Sequence, residues 1–351
     1  MTELFYTNKP IIGLDISKTG VRVVSADRSK MLISGYGSID LDPSKIMDDI
    51  RQSQDYLLEK LQTLFQKNVS ERLEGTRAVL GIPAARTFTR TFTLPVEKEG
   101  MIKQAVSLET EQYIPMPLEN LYVDYQVIKR GKTDLTVLTC AVPRQFVDGI
   151  LEIMERAGID VAMIEPSINA VSRLLEATGE GGGLPTIIVD IGPVGTDVAI
   201  YDSAIRVTGS LTIGSNTLTL DIAKHMGVSL ETAHQLKVLS GLNAGPRQAK
   251  ISAALRPSLM KIVNETNKVM RFYTDRFPEE GKLEQVLIDG SGSGVPGLGD
   301  FFTNELIMPA RIASPWQELK FSNIEAPAKQ LKPRLMAAAG LSLVQPQEIW
   351  S

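Results

Sequence analysis

The stretch TIIVDIGPVGTDVAIY, residues 186–201, decides how this chain is read. Ile187, Ile188 and Val189 make a short apolar strand ending on Asp190, Gly192 and Gly195 supply a tight turn, and Val198 and Ile200 belong to a return strand. The product is a hairpin with an acid at its tip. Such a turn can aim successive backbone N–H groups into one concavity that takes phosphate oxygens, while the acid holds Mg²⁺ through water. Asp-x-Gly at a hairpin tip is equally ordinary turn chemistry, and a single copy does not decide between the two.

A second copy lies near the start, IIGLDISKTGVRVV, residues 11–24. Setting Asp15 against Asp190 also aligns Ile12 with Ile187, Ile16 with Ile191, Gly20 with Gly195 and Val23 with Val198. Asp190 lies 175 residues beyond Asp15, half of a chain of 351. Two strand-acid-turn-strand units at this separation predict two similar α/β halves, each offering one hairpin to a shared cleft, and such clefts bind ligands.

The composition is that of a globular chain large enough for more than one compact unit. A net charge of −4, with scattered basic residues, leaves no footprint for nucleic acid. The one cysteine, Cys140, sits in an apolar strand pattern and reads as a small buried hydrophobe. His225 and His234, the only histidines, have no metal-type residues at ligand spacing, which argues against a histidine metal site or a catalytic triad. No signal-peptide pattern is present and no apolar run reaches about 18 residues, so a cytoplasmic protein without a membrane span is expected.

In chain order, a three-strand meander precedes a helix predicted over residues 43–67, with Ile46, Ile50, Leu57, Leu61 and Leu64 on one stripe. A strand-helix-strand-strand-helix block, residues 83–158, then interrupts the first half; Phe88, Phe92 and Leu94 share one face of its first strand. Residues 159–177 return to the first half as a strand and a helix, and GEGGGLP, 179–185, reads as a linker. In the second half a strand over 205–213 ends at Gly214, where Ser215 caps a helix, and helices follow over 229–239 and 248–277. Pro257 must kink the last of these or begin a new one. The strand 284–289 runs into GSGSGVPGLGDFF ahead of a helix over 296–306, a place where glycines let a flat ligand approach the backbone. An alanine-rich helix is predicted over 329–343, with QPQEIWS as a frayed tail.

The ordered set IIGLDISKTG, IIVDIGPVGTD, LIDGSGSGVPGL and PRLMAAAGLSL resembles the actin-like ATPase superfamily, whose two phosphate loops, adenosine loop and connecting helices follow in this order. The interrupting block narrows the likeness. GIPAARTFTRTFTLP, ETEQYIPMPLENLYVDYQV and IEPSINAVSRLLE resemble the PilM family of actin-like type IV pilus assembly proteins and, more distantly, the division protein FtsA. The resemblance implies an α/β actin-like ATPase fold of two duplicated domains around a nucleotide cleft. It divides the chain into residues 1–82 with 159–184, an inserted α+β module at 83–158, a second domain at 185–328, and a helix by the cleft at 329–351.

Carried over residue by residue, the resemblance puts Asp15, Ser17, Lys18 and Thr19 on the first phosphate loop and Asp190, Gly192 and Thr196 on the second. Gly214 and Ser215 match the family's Gly-Gly helix start, Gly290, Ser291 and Gly292 its adenosine loop, and Lys237 a ribose or base contact. ATP and Mg²⁺ are the implied cofactors, with Asp15 and Asp190 holding the metal through water. The chain departs from the pattern at Ser17, Pro193, Val194, His234 and Ser291; Pro193 removes one N–H from the phosphate cradle, so hydrolysis is expected to be slow or absent. The implied role is a cytoplasmic adaptor, peripheral to the membrane, that binds the N-terminal tail of a PilN-like inner-membrane protein in a nucleotide-sensitive way. The pilus motor ATPase and self-association are further implied contacts. A sugar-kinase-type phosphotransferase would need an acid to accept a hydroxyl proton, for which Asp197 is the candidate if its side chain lies on the correct face. A degenerate scaffold that binds no nucleotide is the remaining alternative.

Overall fold

β1 (Ile11–Ser17), β2 (Gly20–Asp27) and β3 (Leu32–Asp40) form an antiparallel meander, and β4 (Arg77–Ile82) adds parallel to β1. The computed structural model describes residues 11–349 except 72, 74, 246, 279 and 280. With β8 (Asp160–Pro166) and β14 (Lys320–Phe321) the first sheet has the order β14-β3-β2-β1-β4-β8. The second sheet repeats the plan: β9 (Thr186–Ile191), β10 (Thr196–Tyr201), β11 (Ile205–Leu211), β12 (Gln285–Asp289) and β13 (Ala310–Ile312) stand in the order β11-β10-β9-β12-β13. The correspondence reaches single residues. Asp15 pairs with Arg22 and Asp190 with Asp197, and the one register shift in each meander falls after Ser25 and after Ile200, 175 residues apart.

The chain divides into two compact units. One takes the described residues up to Leu174, Leu319–Ala326 and the described residues from Ala337; the other takes Leu175–Glu318 and Pro327–Met336. In the first, Ile12, Leu14 and Ile16 of β1 share a core with Leu57, Leu61 and Leu64 of α1 (Gln54–Lys67). Further along the chain lie α2 (Ile102–Tyr113), α3 (Arg144–Arg156) and α4 (Ser167–Ala177). Ile150, Ile153 and Met154 of α3 also pack in the β1 core, so α3 is the crossover helix from β4 to β8 rather than part of a separate insert. What is inserted is the three-stranded sheet of β5 (Phe88–Pro95), β6 (Leu121–Arg130) and β7 (Asp134–Pro143), in the order β5-β7-β6, with α2 on one face. Phe92, Leu94, Ile102, Val106, Leu135 and Val137 give it a core of its own.

In the second unit, Ile187, Val189 and Ile191 face a core supplied by α5 (Ser215–Met226), α6 (Leu230–Leu239), α7 (Gln248–Arg276) and α8 (Leu298–Leu306). Alternate residues of β9, Ile188 and Asp190 among them, therefore face the other side of the sheet. In the first unit, α9 (Met336–Ser342) lies against β1 so closely that a Cβ on Gly13 would overlap the Ala338 carbonyl oxygen. A Cβ on Gly340 would likewise overlap the carbonyl oxygen of Ala170 in α4. The run of small residues in PRLMAAAGLSL is what permits these two contacts.

Several expected elements differ. The helix over 43–67 forms only from Gln54; residues 42–53 instead make two short 3₁₀ turns, because Asp42 accepts the Ser44 N–H and Asp49 the Arg51 N–H. Such local side-chain bonds compete with an α-helix. At the other end, Pro333 sits in a 3₁₀ turn and the α-helix starts at Met336 rather than 329. Pro257, by contrast, neither ends nor restarts α7, which runs unbroken for 29 residues with Leu255 and Leu259 both in the core. Gly214, not Ser215, is the N-cap of α5. GEGGGLP is no free linker: the Glu180 carboxylate holds Arg311 and accepts the Ser314 N–H at 3.1 Å. Of the supposed tail, residues 346–349 form a short helix, α10 (Pro346–Ile349), whose Glu348 pairs with Arg173 at 3.0 Å; Trp350 and Ser351 lie outside the described residues. Cys140 is half-buried against the β1 core, and burial pushes its thiol up to about 11.

Candidate functional site

Ser17 and Gly20 pair across β1 and β2, leaving Lys18 and Thr19 as the two tip residues of the first hairpin. Ser17 braces this turn from within. Its Oγ accepts the Thr19 N–H at 3.3 Å and donates to the Gly20 carbonyl at 3.2 Å. The departure from glycine at position 17 thus ties up one N–H that a phosphate cradle would offer. Asp15, at the base of the turn, accepts from Ser167 Oγ at 2.5 Å, and a Cβ on the neighbouring Gly81 would stand 3.0 Å from its Oδ1. Ser167 begins α4, so the helix start fixes the carboxylate. Lys18 extends outward and its Nζ lies 3.1 Å from Asp48 Oδ1.

In the second unit the nine expected residues form a continuous cluster. Gly192 and Pro193, in the β9–β10 turn, present their carbonyls to the N-terminus of α5, where Ser215 and Asn216 donate N–H groups at 2.9 Å each. Gly214 permits this docking: a Cβ there would stand 2.5 Å from Gly192 O and 2.7 Å from Gly195 N. Thr196 is fully buried and donates its hydroxyl to Ile213 O at 2.6 Å. Gly290 and Gly292 fold the glycine-rich loop after β12 onto the end of β9, with Gly292 N–H donating to Ile191 O at 2.7 Å and Gly290 abutting Asp190. Ser291 Oγ is buried without a protein partner.

Lys237 is 3 % exposed, and its ammonium donates to Ser215 O at 2.9 Å, Ser215 Oγ at 2.7 Å and Thr219 Oγ1 at 2.8 Å. All three protons are engaged and all three acceptors are neutral. Burial pushes its pKa down to about 8. Between that value and the unfolded lysine value the unfolded chain binds the proton and the folded one does not, so this group makes stability rise with pH. The wild type should therefore gain up to about 3 kcal/mol relative to Lys237→Met between pH 8 and 10. Urea unfolding of both proteins across that range checks it; parallel profiles would show the amine to be as solvated as an ordinary lysine.

One acid escapes the motif-based reading, and strand pairing gives the face of another. Asp289 pairs in register with Asp190 on β12 and is fully buried, its Oδ2 without a protein partner, and burial holds its carboxyl well above the usual range. Asp197 pairs with Asp190 from the other side, so its face, open in the sequence, is the face of Asp190 and Asp289. Burial raises its pKa, offset by Ser210 Oγ at 2.5 Å. Asp289 was signalled only as the polar end of an apolar strand, and Ser167 only as part of the motif IEPSINAVSRLLE. Among the described residues no group of three or more His, Cys, Asp or Glu side chains is spaced to hold a metal directly.

Duplicated meanders, each with an acid at its first hairpin and a glycine loop folded on the second, define an actin-like ATPase fold. MreB5 of Spiroplasma citri bound to ADP shares it at a TM-score of 0.58 and 13% identity, over 98% of each chain. A structure of the PilM-PilN type IV pilus biogenesis complex matches at a TM-score of 0.78 and 21% identity, over 95% of this chain and 97% of that one. The chain belongs to the family described as type IV pilus assembly protein PilM, whose profile matches residues 13–345. It is also similar to the cell division protein FtsA of Neisseria meningitidis serogroup B, 24% identical over 223 residues, which covers 56% of this chain and 50% of that protein. The chain thus spans about half the length of the curated relatives it matches. No described helix is long and apolar enough to cross a membrane.

Proposed function

We propose that this chain is a cytoplasmic nucleotide-binding adaptor of a type IV pilus machine, held at the inner membrane through the N-terminal tail of a PilN-like partner. The observation that carries the nucleotide half is the repeated hairpin: each unit sets one aspartate, Asp15 or Asp190, at the same step of the same strand order. Asp15 and Asp190 would hold Mg²⁺ through water, Lys18 and the hairpin turns the phosphates, and Gly290, Ser291, Gly292 and Lys237 the nucleoside. The unpartnered Ser291 Oγ and Asp289 Oδ2 leave polar capacity in that loop for such a ligand. Bound ATP would favour one arrangement of the chain over another by no more than its differential affinity for the two.

A specific observation favours the scaffold reading instead. Thr196 and the first N–H groups of α5, which a phosphate would use, already serve protein carbonyls. Thermal unfolding separates the two. Saturating Mg·ATP should raise the melting temperature by mass action, and Asp190→Ala should abolish the Mg²⁺-dependent part of the shift. An unchanged melting temperature in the wild type would favour the scaffold. Phosphate release is expected near background, and contacts with the motor ATPase or between copies of the chain are part of the same proposal.

The membrane-partner half rests on the inserted three-stranded sheet. β5 and β6 are both edges, open to addition of an extended peptide. Of the aromatic residues near them Phe92 is core, while Phe88, Tyr113 and Tyr122 are 40, 53 and 41 % exposed. Arg90 stacks on the Tyr113 ring at 3.1 Å from its centre.

A further inference from the structure

We propose that Asp48 couples the first phosphate turn to the inserted sheet by sharing its carboxylate between Lys18 and Arg86. This rests on the nucleotide-binding reading of the first hairpin. Asp48 Oδ1 accepts from Lys18 Nζ at 3.1 Å and from Arg86 at 2.9 Å, and the Asp48 carbonyl lies 3.4 Å from the same guanidinium. Lys18 is at the tip of the β1–β2 turn. Arg86 stands between the end of β4 and the start of β5, where the chain enters the inserted sheet, and its guanidinium stacks over Phe146 of α3 at 5.5 Å. One oxygen atom therefore touches both the phosphate turn and the entrance to the insert.

The segment that carries Asp48 is built to transmit such a change. It is the irregular stretch 42–53, held by caps at Asp42 and Asp49 instead of by helical hydrogen bonds. Asp49 Oδ2 accepts from Gln145 at 3.0 Å, and Ile50 is buried so close to α3 that a Cβ on Gly149 would stand 2.5 Å from its Cγ2. The segment thus rests on both α3 and Arg86, which flank the same end of the inserted sheet, where Phe88 of β5 pairs with Ala141 of β7.

A phosphate carries more charge than a carboxylate and offers three oxygens, so it draws the Lys18 ammonium away from Asp48 when it reaches the turn. Asp48 is 86 % exposed, and ion pairs of this kind are weak, so the exchange costs little. Asp48 is then left to Arg86 alone. A guanidinium facing a carboxylate without a competing cation takes both oxygens, which re-aims Arg86 and the backbone leading into β5. The link works in both directions: a ligand that fixes the insert with Arg86 withdrawn releases Asp48 to hold Lys18, and so opposes phosphate binding.

Amide hydrogen exchange of the full chain with and without Mg·ATP tests this, alongside the thermal shift with the same nucleotide. In the wild type, exchange over residues 84–91 and 144–150 should change by about threefold or more on nucleotide addition. Asp48→Asn should lose that response while binding Mg·ATP unchanged or about two- to fivefold more tightly, because Lys18 no longer has a competing carboxylate. Arg86→Gln should lose the response and bind Mg·ATP up to about fivefold more weakly, because Asp48 is then left to hold Lys18. A response that survives in either variant overturns the coupling, as does a wild type that binds Mg·ATP with no change over these residues. A wild type with no thermal shift fails the nucleotide reading itself and takes the coupling with it.

Discussion

Replacing Gly13 by alanine is expected to destabilise the protein by about 3 kcal/mol, a large effect for one methyl group. The new Cβ would overlap the Ala338 carbonyl oxygen and stand 2.5 Å from Ser342 N, both backbone atoms of α9. Neither can rotate away, so the helix must lift from β1, opening the packing of Leu341 and Val344 against Val79 and Ala170. Gly100→Ala, where the added atom meets nothing within 4 Å, is the matched control. Urea unfolding followed by circular dichroism should give a clearly lower midpoint for Gly13→Ala than for the control. Equal midpoints would mean that α9 does not pack on β1 as described.

Removal of the inserted sheet should abolish binding of the partner's tail. Because α3 belongs to the β1 core, the deletion must spare it: residues 84–142 are replaced by a Gly/Ser linker and α3 is kept. The sheet has its own core in Phe92, Leu94, Ile102, Val106, Leu135 and Val137, so most of what is lost packs with itself. A synthetic peptide of the cytoplasmic N-terminal segment of a PilN-like protein should bind the full chain and show no saturable binding to the deletion variant. The Mg·ATP thermal shift should persist. Peptide binding that survives the deletion would move the partner site elsewhere, with the second unit the next place to look.

The hairpins were legible because they occur twice. Asp15 and Asp190 share not only a local pattern but the same partners across the sheet, down to the position of the register shift. The misread stretch, 42–53, failed for a physical reason: Ile46 and Ile50 are buried, as a helical stripe requires, yet Asp42 and Asp49 take the backbone N–H groups that a helix would use. The hydrophobic period was right and the hydrogen bonding was not. Ser167 and Asp289 could not be found by spacing at all, since each meets its aspartate only through strand pairing or a distant helix start. Sequence motifs likewise do not tell an N–H that faces a ligand from one that faces a carbonyl. The helix start at Gly214 and Ser215 was legible, yet the Ser215 and Asn216 N–H groups point into the protein.

The two units are not consecutive along the chain, and this has a consequence for the order of synthesis. The chain passes from one to the other after Leu174, Glu318, Ala326 and Met336. The unit made of Leu175–Glu318 and Pro327–Met336 has all its residues once Met336 has been translated. The other begins first and finishes last: β14 at the edge of its sheet, α9 against Gly13 and the Glu348 partner of Arg173 all lie beyond residue 318. Until they emerge, Val79 of β4 and Ala170 of α4 lack Leu341 and Val344, with which they share a small core, so the first unit completes its packing only after the second has been made.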